Sequence, residues 1–154
     1  MEYDEQTYNE LSKKIRINRD FLDAEIIEQP NLFFHASEGF VHAVAKRDKS
    51  NHSLEVEIAE LDKDIREQMI ADGERVTEDK VAQQIKREQD YHRFYKEHLD
   101  ASLVANRWSS LKESYRQRAD MLKSLVQLHI SGYFGEVTGS AERKGAHDRF
   151  NQRG

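Results

Sequence analysis

The residues best suited by type to do chemistry in this chain are its clustered cations. Arg107, Lys112, Arg116, Arg118 and Lys123 fall in one stretch whose only carboxylates are Glu113 and Asp120. A row of side-chain cations suits phosphate, and each phosphate contact adds affinity that falls as salt displaces it. Arg107, Lys112, Arg116 and Lys123 are the candidate phosphate contacts. Trp108 and Tyr115 lie in the same stretch and have the ring faces on which bases stack. Lys46, Arg47 and Lys49, with His42 and His52 nearby, form a second candidate cluster, and Arg143, Lys144, Arg149 and Arg153 a third. The plainer use of each cluster is a solvated helix face, and the plainer use of both aromatics is a core.

Other chemistries find less support. The chain has 154 residues and no cysteine, which excludes a disulfide framework, a thiolate metal site and a Cys nucleophile. Its seven histidines include Glu38/His42 and Glu88/His92 pairs four apart, but no Glu-x-x-His of the kind that di-iron helical bundles need. No metal and no cofactor is therefore expected. Nucleotide-binding loops, the Gly-x-Ser-x-Gly elbow and His-Glu-x-x-His are absent, and nothing in the sequence places two carboxylates in a shielded cleft. The expectation is a protein that is not an enzyme. The net charge of −5 argues against nucleic-acid binding by bulk electrostatics. Residues 53–80 are acidic, with Glu55, Glu57, Glu60, Asp62, Asp64 and Glu67 close together, so a basic stripe elsewhere would have to act locally. No apolar run approaches the roughly 20 residues of a membrane span. The acidic N-terminus has no apolar signal core, and a cytoplasmic location is expected.

The elements that must position these residues are helices. From Val81 to His129 there is neither proline nor glycine. Apolar residues recur there at Val81, Ile85, Phe94, Leu99, Trp108, Leu111, Tyr115, Leu122 and Leu125, mostly at the three- and four-residue steps that line one helix face. One helix of up to roughly 70 Å is expected over this segment. A first long helix is expected from about Pro30 to Ile70, with Phe33, Phe40, Val44, Leu54, Ile58, Leu61, Ile65 and Met69 as its stripe. Its polar middle, residues 46–53, either continues through solvent or breaks. Pro30, the only proline, suits the first turn of that helix, and Asn18 or Asp20 would cap a short helix over Phe21–Glu28 before it. Residues 1–9 are polar and expected to fray. Asp72-Gly73 closes the first long helix and Thr77 caps the next. The fold class is thus all-α: a short N-terminal helical segment (1–29), a long two-helix core (30–131) and a disordered tail (132–154). With apolar residues at 37% and charged residues at 34%, each stripe must be covered by another long helix, from the same chain or a copy. The expected packing residues are Phe40, Leu54, Ile58, Leu61, Ile65, Trp108, Leu111, Tyr115, Leu122 and Leu125, in a homo-oligomer.

The order of these features resembles the UvsY-like recombination mediators of tailed phages. The residues that carry the resemblance are Glu10-Leu11-Ser12-Lys13-Lys14, Ile17, Phe21-Leu22-Asp23 and Glu25, then Gln29-Pro30-Asn31-Leu32. Further along they are Leu61-Asp62, Gly73 and Trp108, then Arg118 with Leu122 four residues later. The match covers roughly residues 8–130 in order and spacing. The resemblance implies a non-catalytic protein that binds single-stranded DNA and helps load a RecA-type recombinase in place of the single-strand-binding protein. It also implies a ring-like homo-oligomer, in the host cytoplasm if phage-encoded. Such an assembly multiplies weak contacts along one strand through effective concentration. In the family, basic side chains just ahead of the Leu-Asp pair are implicated in DNA binding. Here that stretch is Glu57-Ile58-Ala59-Glu60-Leu61-Asp62, which would repel phosphate. A DNA contact would therefore move to Lys46, Arg47 and Lys49, or to the stripe at Arg107, Lys112, Arg116 and Lys123. The alternative is a helical scaffold or adaptor that works through protein contacts without DNA, in keeping with the net acidity and the coiled-coil-like pattern.

Overall fold

In the computed structural model, residues 3–132 are described. Among them are four α-helices and no strand: α1 (Glu5–Lys13), α2 (Leu22–Ala71), α3 (Glu78–Ile85) and α4 (Gln89–Ile130). A single 3-10 turn, Arg19–Phe21, precedes α2 and is capped by the Asn18 side chain. The tail expected over residues 132–154 lies, apart from Gly132, outside the described residues.

The two long helices fold back on each other as an antiparallel hairpin. Gln29 reaches Tyr115, Gly39 faces Trp108, and Lys46 and Ser50 share a groove with Glu97 and Asp100, so residue numbers rise on one helix as they fall on the other. The turn is built as its residues dictate. Gly73 takes a φ of 71°, which L side chains rarely adopt, and Thr77 caps α3 by accepting from the Lys80 N–H. Much of each apolar stripe packs within the chain.

Three boundaries differ from the sequence expectation and one choice left open is decided, each for a physical reason. First, α2 does not begin at Pro30 but runs through it for 50 residues, roughly 75 Å. A proline inside a helix costs on the order of 3 kcal/mol. Contacts with α4 just ahead of the proline offset it: Glu25 and Gln29 accept from Arg118, and Gln29 donates to the Tyr115 carbonyl. Second, the polar middle stays helical, held by local bonds such as Asn51 to Glu55 at 2.8 Å and the Ser50 hydroxyl to the Arg47 carbonyl at 2.8 Å.

Third, the expected single helix over 81–129 is broken at Lys86–Glu88 into α3 and α4. Ile85 and Phe94 are nine residues apart. At about 100° per residue they would point to opposite faces of one straight helix. The break lets Val81 and Ile85 pack on Ile65 while α4 turns its own stripe onto α2. Arg66 clips α3 to the end of α2 by donating to Asp62 at 2.7 Å and to Glu78 at 2.6 Å. Fourth, residues 5–13 are helical, not frayed. Asp4 caps the Thr7 N–H at 2.8 Å, and Tyr8, Leu11 and Ile15 pack into the groove between α2 and α4.

The hairpin core is made largely of small residues where large ones were expected. Leu32, Ala36, Gly39 and Ala43 of α2 meet Ala101, Ala105, Trp108, Leu111 and Tyr115 of α4, all buried. Leu54, Ile65 and Leu122 are also buried, while Phe40, Ile58, Leu61 and Leu125 are half-buried. Phe33 and Leu99, expected on the stripes, are exposed. No helix of the described residues is long and apolar enough to cross a membrane.

Candidate nucleic-acid interface

The α1 helix divides the hairpin surface into a covered side and an open side, and the candidate cations do not share one of them. Arg107 is on the covered side. Its guanidinium donates two bonds of 2.8 Å to the Glu5 carboxylate and lies 4.3 Å from the Tyr8 ring centre. That partnership holds the Glu5 carboxyl below the usual carboxylate range. Lys112 is on the open side, 4.3 Å over the Phe40 ring. Arg116 follows one turn later, and Lys123 borders an apolar groove with Ile26, Pro30, Ala119 and Val126. The expected stripe is thus a row of three, Lys112, Arg116 and Lys123, with Arg107 on the other side of the molecule.

The row is only lightly tied. Arg116 donates to Glu113 at 2.7 Å and Lys123 to Asp120 at 3.2 Å, each pair exposed on one helix. Exposed pairs of this kind contribute about 0–1 kcal/mol, and a phosphate can replace such a carboxylate at little cost. The open side also carries aromatic surface. Phe33, partly exposed, lies one heptad before Phe40 on the same face of α2, whereas Phe34, about 100° further round, meets the His35 ring instead.

The second cluster does not assemble. Lys46 lines a groove with Glu97 and Asp100 of α4, an acidic setting for any phosphate. Arg47, about 100° further round the helix, turns back onto Asp48 at 2.8 Å, and Lys49 is exposed nearby. The third cluster, from Arg143 to Arg153, lies outside the described residues.

No protein-family model matches this chain, and neither a curated protein nor a solved structure does.

Trp108 and Tyr115 are not available for stacking on bases. Trp108 is 2% exposed, edge-on to Tyr3 and Tyr8 of the N-terminal segment. The Tyr115 hydroxyl donates to the Leu11 carbonyl at 2.6 Å, and burial pushes its pKa up to about 12. Arg118, one of the five cations in the basic stretch, is also out of reach of a ligand. It is 3% exposed and donates to the Glu25 carboxylate, to Gln29 Oε1 and, at 3.2 Å, to the Ile15 carbonyl. Gln29 in turn donates to the Tyr115 carbonyl at 2.7 Å. This buried network joins α1, α2 and α4 and fixes their register. Sequence reasoning overlooked Gln29 and the structural role of Arg118, yet a signal was present. Arg118 stands three residues after Tyr115 and four before Leu122, a position on the apolar stripe.

Among the described residues no three His, Cys, Asp or Glu side chains gather where a metal ion could be held.

Proposed function

We propose that this chain binds single-stranded DNA along the open side of its hairpin and serves as a recombination mediator. In this role it helps a RecA-type recombinase replace the single-strand-binding protein, as a homo-oligomer in the cytoplasm, without catalysis of its own. The observation that carries the reading is the row Lys112, Arg116 and Lys123 on the side that carries the exposed ring of Phe33 and the half-buried ring of Phe40. A flexible strand offers alternating phosphates and base faces, and cations beside aromatic side chains meet both. Three cations per subunit give weak binding, which repetition in an oligomer along one strand would strengthen. The large exposed side chains Phe21, Ile27, Leu103 and Met121 supply apolar surface for assembly. The resemblance in residue order supplies the biological role; the geometry supplies the surface.

The second reading, a helical scaffold acting through protein contacts, is favoured by the apolar groove next to that row. Binding of labelled oligo-dT as a function of salt separates the two. The mediator reading expects binding at low salt whose logarithm falls linearly with the logarithm of salt concentration. A scaffold without DNA contact shows no binding at any salt.

A further inference from the structure

We infer that the open side also carries a docking groove for an amphipathic helix of a partner protein, a helix with acidic residues along the edge that faces α4. The groove is walled by Ile26 and Pro30 on α2 and by Ala119 and Val126 on α4, with Leu122 at its base and Lys123 on its rim. The groove is therefore apolar along its walls and cationic at its α4 edge.

The covered side of the same hairpin shows what such a groove takes. There α1 is the occupant. It sets Tyr8 and Leu11 inward at helical spacing, Ile15 follows inward just past its end, and its Glu5 meets Arg107 on the α4 edge. The open groove repeats this arrangement, with Lys123 on its α4 rim as Arg107 is on the covered side, and Arg116 two turns before it on the same helix. Glu113 and Asp120 hold these cations through exposed pairs that an incoming carboxylate can replace. A second copy presenting its own open side would bring Lys112, Arg116 and Lys123 against the same three cations. The α1 of a second copy is already engaged in its own chain. The complementary occupant is a foreign helix of about α1's length, apolar at i, i+3 and i+7 and acidic on one flank. This inference does not rest on the nucleic-acid reading.

The test uses the full-length chain and a fluorescein-labelled peptide of roughly four helical turns. Its Leu residues stand at i, i+3 and i+7, and Glu occupies the flank. A second peptide has Lys in place of every Glu. The acidic peptide is expected to bind saturably and the Lys peptide far more weakly. Ala119→Glu and Ile26→Glu, on opposite walls, should each weaken binding at least about tenfold (about 1.4 kcal/mol). Circular dichroism reports whether each variant keeps its helices, and two walls leave a second reading if one variant unfolds. Absence of acidic-peptide binding, equal binding of both peptides, or indifference to both variants overturns the inference. It falls equally if the wall variants abolish oligo-dT binding or self-association while leaving peptide binding intact, for then a strand or a second copy is the occupant. Peptide binding by a chain that ignores oligo-dT would sink the mediator reading and leave the groove standing.

Discussion

Trp108 occupies the space that Gly39 leaves open: a Cβ built on Gly39 would lie 2.2 Å from Trp108 Cζ3 and 2.3 Å from Cε3. Glycine costs up to about 1 kcal/mol in the interior of a helix. Its presence in the middle of α2 is explained by the indole ring across the hairpin.

Gly39→Ala should therefore destabilise the chain by about 1–3 kcal/mol, against the gain that helix propensity alone would give. Trp108→Ala should cost about 3–5 kcal/mol. The double variant should cost less than the sum, because with the indole gone the added methyl meets no clash. Chemical denaturation of the four proteins measures all three. A stabilising Gly39→Ala would contradict the close approach.

Arg118 and its neighbour Arg116 should behave as opposites. Arg118→Ala strands the Glu25 carboxylate, whose side chain is 17% exposed, and removes donors from Gln29 and the Ile15 carbonyl. A loss of about 3–5 kcal/mol follows from breaking a buried pair. Arg118→Lys should not restore it, since a single ammonium cannot reproduce the fork that serves three acceptors. Arg116→Ala should change stability by less than about 1 kcal/mol. Equal effects at the two positions would show that Arg118 is not locked in place.

Tyr115 gives the fold an alkaline limit. Its folded pKa is raised from 10.0 to about 12 because burial disfavours the phenolate. A raised folded pKa contributes stability that is fully present below the unfolded value and lost as pH rises through the folded one. Thermal melts should show that contribution disappearing as pH rises from about 10 to about 12. Tyr115→Phe should lack this component, and at neutral pH it should cost about 0.5–1.5 kcal/mol for the lost bond to the Leu11 carbonyl, which keeps its bond from the Lys14 N–H. A wild-type melting temperature that stays flat to pH 12 would refute this.

Much of the fold was legible in residue spacing, because helices as long as α2 and α4 leave a long record. The closing turn at Gly73 and the cap at Thr77 follow from local chemistry alone. What misled was chemistry that only tertiary contacts decide. Pro30 reads as a helix start, yet Glu25 and Gln29 hold helix ahead of it through Arg118 and Tyr115. Ala36, Ala43, Ala101 and Ala105 carry little hydrophobic signal, yet they let the two helices approach closely. The break at Lys86–Glu88 was written in the nine-residue step from Ile85 to Phe94, which an apolar tally passes over. At the candidate interface, a linear row of cations concealed that Arg107 and Lys112 face opposite sides of the hairpin. The five-residue step between them, about 140° round the helix, already separates them, and α1 decides which of the two is covered.

The most direct test of the account is oligo-dT binding by the triple variant Lys112→Glu, Arg116→Glu, Lys123→Glu, set against Arg107→Glu and wild type across a salt series. The account predicts that the triple variant loses binding while keeping its helices, and that Arg107→Glu, on the covered side, keeps the wild-type salt slope. Binding unchanged in the triple variant, or lost only with Arg107, would contradict the assignment of the open side as the strand-binding face.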